Sequence, residues 1–293
     1  MCAALTVSVI IPVWNDSRRI LKCIDALKKQ TIPADQFEVI VVDNGSFDNT
    51  FEVISGIEGI TAVQETRTGS YAARNKGLSI AKGEFVAFTD SDCVPEPSWL
   101  EKLIESARSN PGFGVIAGDM SFFIDEEQKA ERYALDYESF FSMKQEQYAK
   151  EGACITANWL SAKQVLEQHG CFDANLKSGG DHEMSKRLSR NGFPVVFCKE
   201  AIVNHPARSF DEILKKRRRV IGGAWDKNSS KLKPISMYWR ASKLFIRRIL
   251  TTLFGTKATI QKKFSVMKVV IAIFVVSLAE ITRLMVGSTS SRS

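Results

Sequence analysis

The apolar positions of the chain fall into short unbroken runs separated by stretches with helical spacing. Val7–Pro12, Phe37–Val42, Ile60–Gln64 and Phe85–Thr89 read as strands. Between the first two, Ile20, Ile24 and Leu27 recur at i, i+4, i+7, a helix that Asn15 or Asp16 is placed to cap. A short helix follows Asp48-Asn49-Thr50, and another opens at Gly69-Ser70, runs through Ala81 and is closed by Lys82-Gly83. Strands that are apolar on both faces and alternate with helices predict an α/β fold with a mostly parallel sheet covered on both sides. Ligands of such sheets sit beyond the carboxyl ends of the strands. Pro12, Val13 and Trp14, then Asp43, then Asp90 and Asp92 all fall at those ends, which predicts one shared cleft.

The pattern changes after residue 97. Ser98–Arg108 reads as a helix, Phe113–Ala117 as a strand, Glu126–Lys150 as a long helix, Glu183–Asn191 as a short one and Pro194–Cys198 as a strand. The aromatic stripe Tyr133, Tyr137, Phe140 and Phe141 on the long helix is expected in a core. Gly112–Ala117 has the glycine spacing of a dinucleotide fingerprint, but it lies inside a strand rather than at a strand-to-helix turn, and we set it aside. The last third is different again. Asp211–Ala224 is a helix containing Lys215 to Arg219, and Trp239–Phe254 is amphipathic, with Arg240, Lys243, Arg247 and Arg248 among large apolar residues. Such a helix suits a membrane interface. Phe264–Val286 is strongly apolar, but its uncharged run Val269–Ala279 is well short of the ~20 residues that a spanning helix needs. The expected organisation is a domain over 1–207, with halves of 1–97 and 98–207, and a basic amphipathic helical segment over 208–293.

Charge sharpens that division. The 293-residue chain carries +7, yet Arg208 to Lys268 hold seventeen Lys/Arg against three acids, a local balance of +14 that leaves −7 for the rest. A mildly acidic body with a basic C-terminal third suits an anionic membrane surface. No nucleic-acid motif accompanies Lys215 to Arg219, so nucleic acid is not an expected partner. The six cysteines are scattered without a Cys-x-x-Cys pair, which suits a reducing compartment and neither a zinc knuckle nor a disulfide framework. No leader pattern is read at the N-terminus. The expected location is cytoplasmic, peripheral to the inner face of the cell membrane.

The chemistry concentrates on Thr89-Asp90-Ser91-Asp92. Two carboxylates at the end of a buried strand offer oxygen ligands to Mg²⁺ or Mn²⁺, which commonly keep phosphate oxygens as further ligands. Taken alone, the same residues read as a polar turn. The order of the surrounding blocks changes that weighting. Ser8-Val9-Ile10-Ile11-Pro12-Val13-Trp14-Asn15, Val41-Val42-Asp43-Asn44-Gly45-Ser46, Ala73-Arg74-Asn75-Lys76-Gly77, Asp90-Ser91-Asp92, and then Gly170-Cys171-Phe172-Asp173 with Gly179-Gly180-Asp181-His182-Glu183 resemble the family 2 glycosyltransferases. These are inverting enzymes of the Rossmann-like glycosyltransferase-A (GT-A) fold.

The resemblance, which spans about Val7 to His205, implies roles residue by residue. Asp43 would bind the base of a nucleotide, favouring uridine-like donors, with Pro12, Val13, Trp14 and Arg74 also on the nucleotide. Asp90 would support the ribose or the metal's waters, Asp92 would ligate Mg²⁺ or Mn²⁺, and His205 would be a further metal ligand. Asp181 would be the catalytic base, with Glu183 the runner-up. Asn158 and Trp159 would face the acceptor, and His182 is expected to be exposed. The family commonly has Glu-Asp where this chain has Gly180-Asp181, which puts any role of the preceding acid in doubt. The implied activity is transfer of a sugar from a nucleotide-diphosphate donor to a glycan or lipid-linked acceptor, as in polysaccharide and cell-envelope biosynthesis. A sugar-1-phosphate nucleotidyltransferase would need a Gly-rich loop after the first strand, and Pro12 to Asp16 is not one. An inactive membrane adaptor of the same fold is opposed by the joint presence of Asp43, Asp90, Asp92 and Asp181.

Overall fold

The computed structural model describes residues 6–125, 130–176, 178–230, 232–255 and 257–289. In chain order its main elements are β1 (Val7–Val13), α1 (Arg19–Leu27), β2 (Phe37–Asp43), α2 (Thr50–Ser55), β3 (Ile60–Gln64), α3 (Ser70–Ile80), β4 (Phe85–Phe88), β5 (Val94–Pro95), α4 (Trp99–Ser109), β6 (Val115–Phe123), α5 (Arg132–Phe141), α6 (Gln145–Lys150), β7 (Trp159–Ala162), α7 (Lys163–Gln168), α8 (Gly180–Arg190), β8 (Val195–Pro206), α9 (Phe210–Lys227), α10 (Lys233–Phe254) and α11 (Ile260–Met285). They form two compact units, Met1–Ser121 with Met143–His205, and Phe122–Ser142 with Pro206–Ser293.

The first unit is built on an eight-stranded sheet of order β3-β2-β1-β4-β7-β6-β8-β5. β3, β2, β1 and β4 are mutually parallel, as the continuous apolar runs predict. Val9, Ile11 and Val13 face a core shared with Ile24, Leu27, Trp99 and Leu103, while Ile10, Ile40 and Val42 face the opposite core with Phe88, Trp159 and Phe172. Both faces are therefore covered, which is why neither shows an apolar–polar alternation. Beyond β4 the sheet turns antiparallel: β4 with β7, β7 with β6, and β5 with β8. The register aligns Val13 with Asp43 and Asp43 with Gln64, so the parallel strands end together at one edge. Pro12 sits where β1 has outrun its ladder with β4, which ends at Ile10 opposite Phe88. A residue without an N–H is tolerated there.

Several local expectations differ from the fold. Neither Asn15 nor Asp16 caps α1, whose N-cap is Arg18 without a side-chain bond. Both polar side chains are engaged elsewhere: Asn15 Oδ1 accepts from Phe47 N at 2.7 Å, and Asp16 accepts from Arg19 Nε at 2.7 Å and Ser91 Oγ at 2.8 Å. The long helix expected over Glu126–Lys150 is two helices, α5 and α6, interrupted where Met143 adopts a left-handed φ of 48°. Residues 126–129 of that expectation lie outside the described residues. β7 and α7 were not anticipated, because four and six residues are too few to display a period.

The second unit is helical. The aromatic stripe on α5 does pack in a core, where Ala134 and Tyr137 meet Ile213 of α9 and Val266, Val269, Val270 and Ile273 of α11. A second cluster joins Ile221, Met237, Ala241, Ile281 and Leu284. α9 opens with a capping box between Ser209 and Glu212. α11 has 26 residues and a mean hydropathy of 2.2, long and apolar enough to cross a membrane by those measures, and 39% of its most apolar window is buried within the fold. Reading the sequence as interrupted at Glu280 underestimated it. Glu280 is turned inward and pairs with Arg283 at 2.6 Å, so the charge does not break the apolar surface.

A buried ion pair closes this unit. Glu138 accepts from Arg208 Nη1 at 3.1 and 3.3 Å, from Arg208 N at 3.0 Å and from Ser142 Oγ at 2.8 Å. Desolvation pushes the carboxyl up, but Arg208 and these hydrogen bonds outweigh it and hold Glu138 below the usual carboxylate range. Its stabilisation is therefore full at neutral pH and is lost as pH falls through the depressed value. Glu138→Gln is expected to cost about 2 kcal/mol at pH 7 in urea unfolding, with the gap closing toward acid pH. A pH-independent difference would show that the charge is not what matters.

Candidate active site

At the shared edge of the parallel strands, Asp43 ends β2 fully buried. Its Oδ1 accepts from Ser46 Oγ, and its Oδ2 from Ser46 N at 3.3 Å and Gln64 Nε2 at 3.4 Å. Above it lie two exposed aromatics, Trp14 (58% exposed) and Phe47 (87%), in an edge-on contact with centroids 6.3 Å apart. Trp14 is therefore a rim residue and not a core one. Asn44 ties the next turn down: its Nδ2 donates to Glu65 O at 3.1 Å and Arg67 O at 2.9 Å, and its Oδ1 accepts from Gly69 N at 2.7 Å. That last bond places the start of α3.

The end of β4 carries the acids. Arg74, on α3 and only 4% exposed, donates to Asp90 Oδ1 at 2.5 Å, while its buried Nε has no partner among the described residues. Desolvation pushes the Asp90 carboxyl upward, Arg74 opposes this, Asp92 adds to it, and His205 and Asp181 act in opposite senses at longer range. Asp92 has a different setting. His205 Nε2 lies 3.6 Å and Arg19 Nη1 3.8 Å from its Oδ2. The ligand atoms of Asp92, Cys93 and His205 all fall within 4.8 Å of one another. A cation held at ~2.1 Å separates neighbouring octahedral ligands by about 3.0 Å and opposite ones by about 4.2 Å. The Asp92–His205 spacing lies between these, and the Asp92 carboxylate is a donor that suits Mg²⁺ or Mn²⁺. Burial pushes the Cys93 thiol well above its ordinary value, with Asp92 and Asp90 adding to the shift. A hard divalent cation prefers the Asp92 carboxylate and the His205 imidazole to a soft thiol, which leaves these two as the fitting donors.

Asp181 enters from α8. Gly179 precedes the helix in a left-handed conformation (φ 76°), and Asp181 sits in the first turn, where a negative charge is favoured. Its Oδ1 accepts from Tyr71 Oη at 3.3 Å and from His182 N at 2.9 Å.

A model of the family described as "Glycosyl transferase family 2" matches residues 8–170, more than half of the chain. The chain belongs to glycosyl transferase family 2. It is 38% identical to "Glycosyltransferase AglE" of Haloferax volcanii over 221 residues, which cover 73% of this chain and 71% of that protein. It is 25% identical over 217 residues to the "Dolichyl N-acetyl-alpha-D-glucosaminyl phosphate 3-beta-D-2,3-diacetamido-2,3-dideoxy-beta-D-glucuronosyltransferase" of Methanococcus voltae, covering 69% of this chain and 67% of the other. Among solved structures, the mannosyltransferase PcManGT from Pyrobaculum calidifontis, in complex with GDP-Man and Mn²⁺, superposes with a TM-score of 0.55 at 18% identity, covering 97% of this chain and 76% of that one. That likeness shows a shared GT-A fold. The family match includes Asp43, Arg74, Asp90 and Asp92 and ends before Asp181 and His205.

In this family 2 glycosyltransferase, the fold brings Arg74, Asp90, Asp92 and His205 together at the end of β4, while Asp43 and Trp14 lie at the neighbouring ends of β2 and β1 and Tyr71 ties Asp181 to α3. Three residues stand apart. Glu183 is two positions beyond Asp181, about 200° round the helix, and is clamped by Arg187, Nε to Oε1 at 3.0 Å and Nη2 to Oε2 at 3.1 Å. It lines a separate open cavity of about 480 Å³ with Arg67, Asn75, Asp173 and Asn175. Asn158 and Trp159 do not face an acceptor, because both are fully buried. Asn158 Nδ2 donates to Asp119 O and Ala201 O, each at 2.9 Å, and its Oδ1 accepts from Trp99 Nε1 at 2.8 Å. Trp159 Nε1 donates to Ser161 Oγ at 2.7 Å. A buried amide that joins three elements looks the same in a sequence as one lining a cleft. His182 is half-buried against Tyr148, with ring centroids 5.0 Å apart, not exposed. Sequence reasoning missed Tyr71, Phe47 and the Asp16–Arg19 pair. The one available pointer to Tyr71 was the glycine in place of the acid before Asp181.

Asn158→Ala would take from the buried Trp99 Nε1, from Ala201 O and from the half-buried Asp119 O the partner that each has in Asn158. The expected loss is about 3 kcal/mol of stability in urea unfolding, with an unchanged acceptor KM in whatever protein stays folded. A raised acceptor KM at unchanged stability would return Asn158 to the acceptor side.

Proposed function

We propose that this glycosyltransferase moves a sugar, with inversion, from a nucleotide-diphosphate donor of the uridine type to a lipid-linked or polysaccharide acceptor at the cytoplasmic face of the membrane. The observation that carries the reading is the union, around one strand end, of a neutralised acid (Asp90 with Arg74), a fitting donor pair (Asp92 with His205) and a carboxylate on a separate helix (Asp181). The donor base would stack at Trp14 and Phe47 above Asp43, where one of the long Asp43 bonds gives way to the imide N–H. The unpaired Arg74 Nε is a donor of the kind that nucleotide oxygens take up.

Asp92 and His205 would hold Mg²⁺ or Mn²⁺, whose charge offsets that developing on the diphosphate. Asp181 accepts the proton of the acceptor hydroxyl as that oxygen forms its bond to the anomeric carbon. The bond from that carbon to the diphosphate oxygen breaks on the opposite face, its electron pair leaves with the diphosphate, and the proton stays on Asp181. Arg74 holds Asp90 in place throughout, so one acid is screened and the other remains available.

The acceptor class rests on the relatives' names and on the second unit. On α10, Trp239 (69% exposed), Ile246 (56%), Leu250 (51%) and Phe254 (79%) stand in solvent among exposed Arg240, Lys243 and Arg247. Apolar groups that insert and cations that meet headgroups are what an anionic bilayer surface binds.

Asp181→Asn is expected to retain donor affinity and lose turnover by at least ~10³-fold, as removal of a required base does. Asp92→Ala is expected to abolish the Mn²⁺-dependent rise in melting temperature with UDP. A thermal shift with GDP and none with UDP would correct the donor base. For the membrane, Trp239→Glu with Leu250→Glu is expected to release the full chain from anionic liposomes in a flotation assay. Full-length protein that never floats would end that part of the reading.

A further inference from the structure

Gly180 is explained by a residue 109 positions away. A Cβ built on Gly180 would lie 2.7 Å from Tyr71 Cε2 and 2.9 Å from both Cδ2 and Cζ. The ring has no room to retreat: it is 7% exposed and stacks on Phe172 with centroids 5.8 Å apart and planes at 19°. Its hydroxyl is held as well, accepting from Gly180 N at 2.9 Å and facing Asp181 Oδ1 at 3.3 Å. A side chain at position 180 and the ring of Tyr71 therefore exclude one another.

The hydroxyl also has a defined hydrogen-bond direction. Its lone pair takes the Gly180 N–H, one of the amides that the first turn of α8 leaves without a helical partner. Its own proton is then free for Asp181. Burial and the Asp181 charge push the phenol above its ordinary value, so the group stays protonated and donates.

We infer that Tyr71 is the positioning residue for Asp181, with the bare Gly180 as its necessary counterpart. The inference rests on Asp181 being the base. It makes Tyr71 a holder of orientation that touches neither donor nor acceptor, and it makes positions 71 and 180 exchangeable only as a pair.

The test is a set of variants of the full chain, with kcat and donor KM measured separately. Tyr71→Phe keeps the ring, its stacking and the clearance over Gly180, and removes only the hydroxyl. It is expected to lower kcat by about tenfold to hundredfold, the value of a hydrogen bond to a charged group, with donor KM and UDP affinity within about twofold of wild type. Gly180→Glu in the presence of Tyr71 is expected to lose more, because the two side chains collide. Tyr71→Ala combined with Gly180→Glu is expected to melt at a higher temperature than Gly180→Glu alone, because the collision is gone. Wild-type kcat in Tyr71→Phe overturns the inference, and so does a double variant that melts no higher than Gly180→Glu. Asp181→Asn separates the two levels. If it loses turnover while Tyr71→Phe does not, only the positioning role falls; if it keeps turnover, the assignment of the base falls with it.

Discussion

The site depends on one buried charge that must be paired. Arg74 lies in the helix that covers the parallel sheet, almost without solvent, and an isolated guanidinium there would be prohibitive. Asp90, at the end of β4, supplies the partner at 2.5 Å. The pair fastens α3 to the carboxyl edge of the sheet. It also separates the fates of two acids that the sequence presents as equals. Asp90 is consumed as the counter-ion of Arg74, while Asp92, two residues on, turns toward His205 and remains available. A symmetric Asp-x-Asp motif thus becomes an asymmetric site because Arg74 pairs with Asp90 at 2.5 Å, whereas Arg19 stands off at 3.8 Å from Asp92 and is held by Asp16.

A second constraint is the common end-point of the strands. Val13, Asp43 and Gln64 are in register across β1, β2 and β3. Whatever follows each strand is therefore delivered to the same edge, and loop side chains then tie to one another. Asp16 shows the economy of this arrangement. Its carboxylate accepts from Ser91 in the acidic loop and from Arg19, which itself approaches Asp92. A residue that reads as a helix cap is instead a brace between two loops, and α1 starts without a capping side chain.

The parallel half of the sheet was legible in the sequence because a strand buried on both faces is apolar at every position, a signal that survives in a short window. The acids at its ends were legible for the same reason: each breaks an apolar run abruptly. What stayed hidden depended on contacts distant along the chain. Asn158 and Trp159 carry the residue types of a binding surface, yet Asn158 bridges Asp119, Ala201 and Trp99 in the interior. Glu183 differs from Asp181 by two positions, and only the helical phase, with Arg187 one turn on, removes it from the site. In the last third the sequence count stopped at Glu280, whereas in the folded helix that charge is buried against Arg283 and the apolar surface continues past it.

The block Tyr71 to Leu78 gathers these constraints on one helix. Tyr71 and Arg74 are three residues apart and share a face, one hydroxyl reaching Asp181 and one guanidinium reaching Asp90. The rise of α3 thus sets the spacing between Asp90 and Asp181. Asn75 fixes the next layer by donating to Phe172 O at 2.8 Å and accepting from Phe172 N at 3.1 Å, which seats the ring on which Tyr71 stacks. Gly77 lets the helix lie flush on the sheet, since a Cβ there would fall 2.5 Å from Ile10 Cγ2. Arg74, Asn75 and Gly77, which mark the block in the sequence, are each accounted for by a contact, and the contacts share one purpose. They make α3 a rigid strut, so that neither its phase nor its height over β1 can change without moving both halves of the site together.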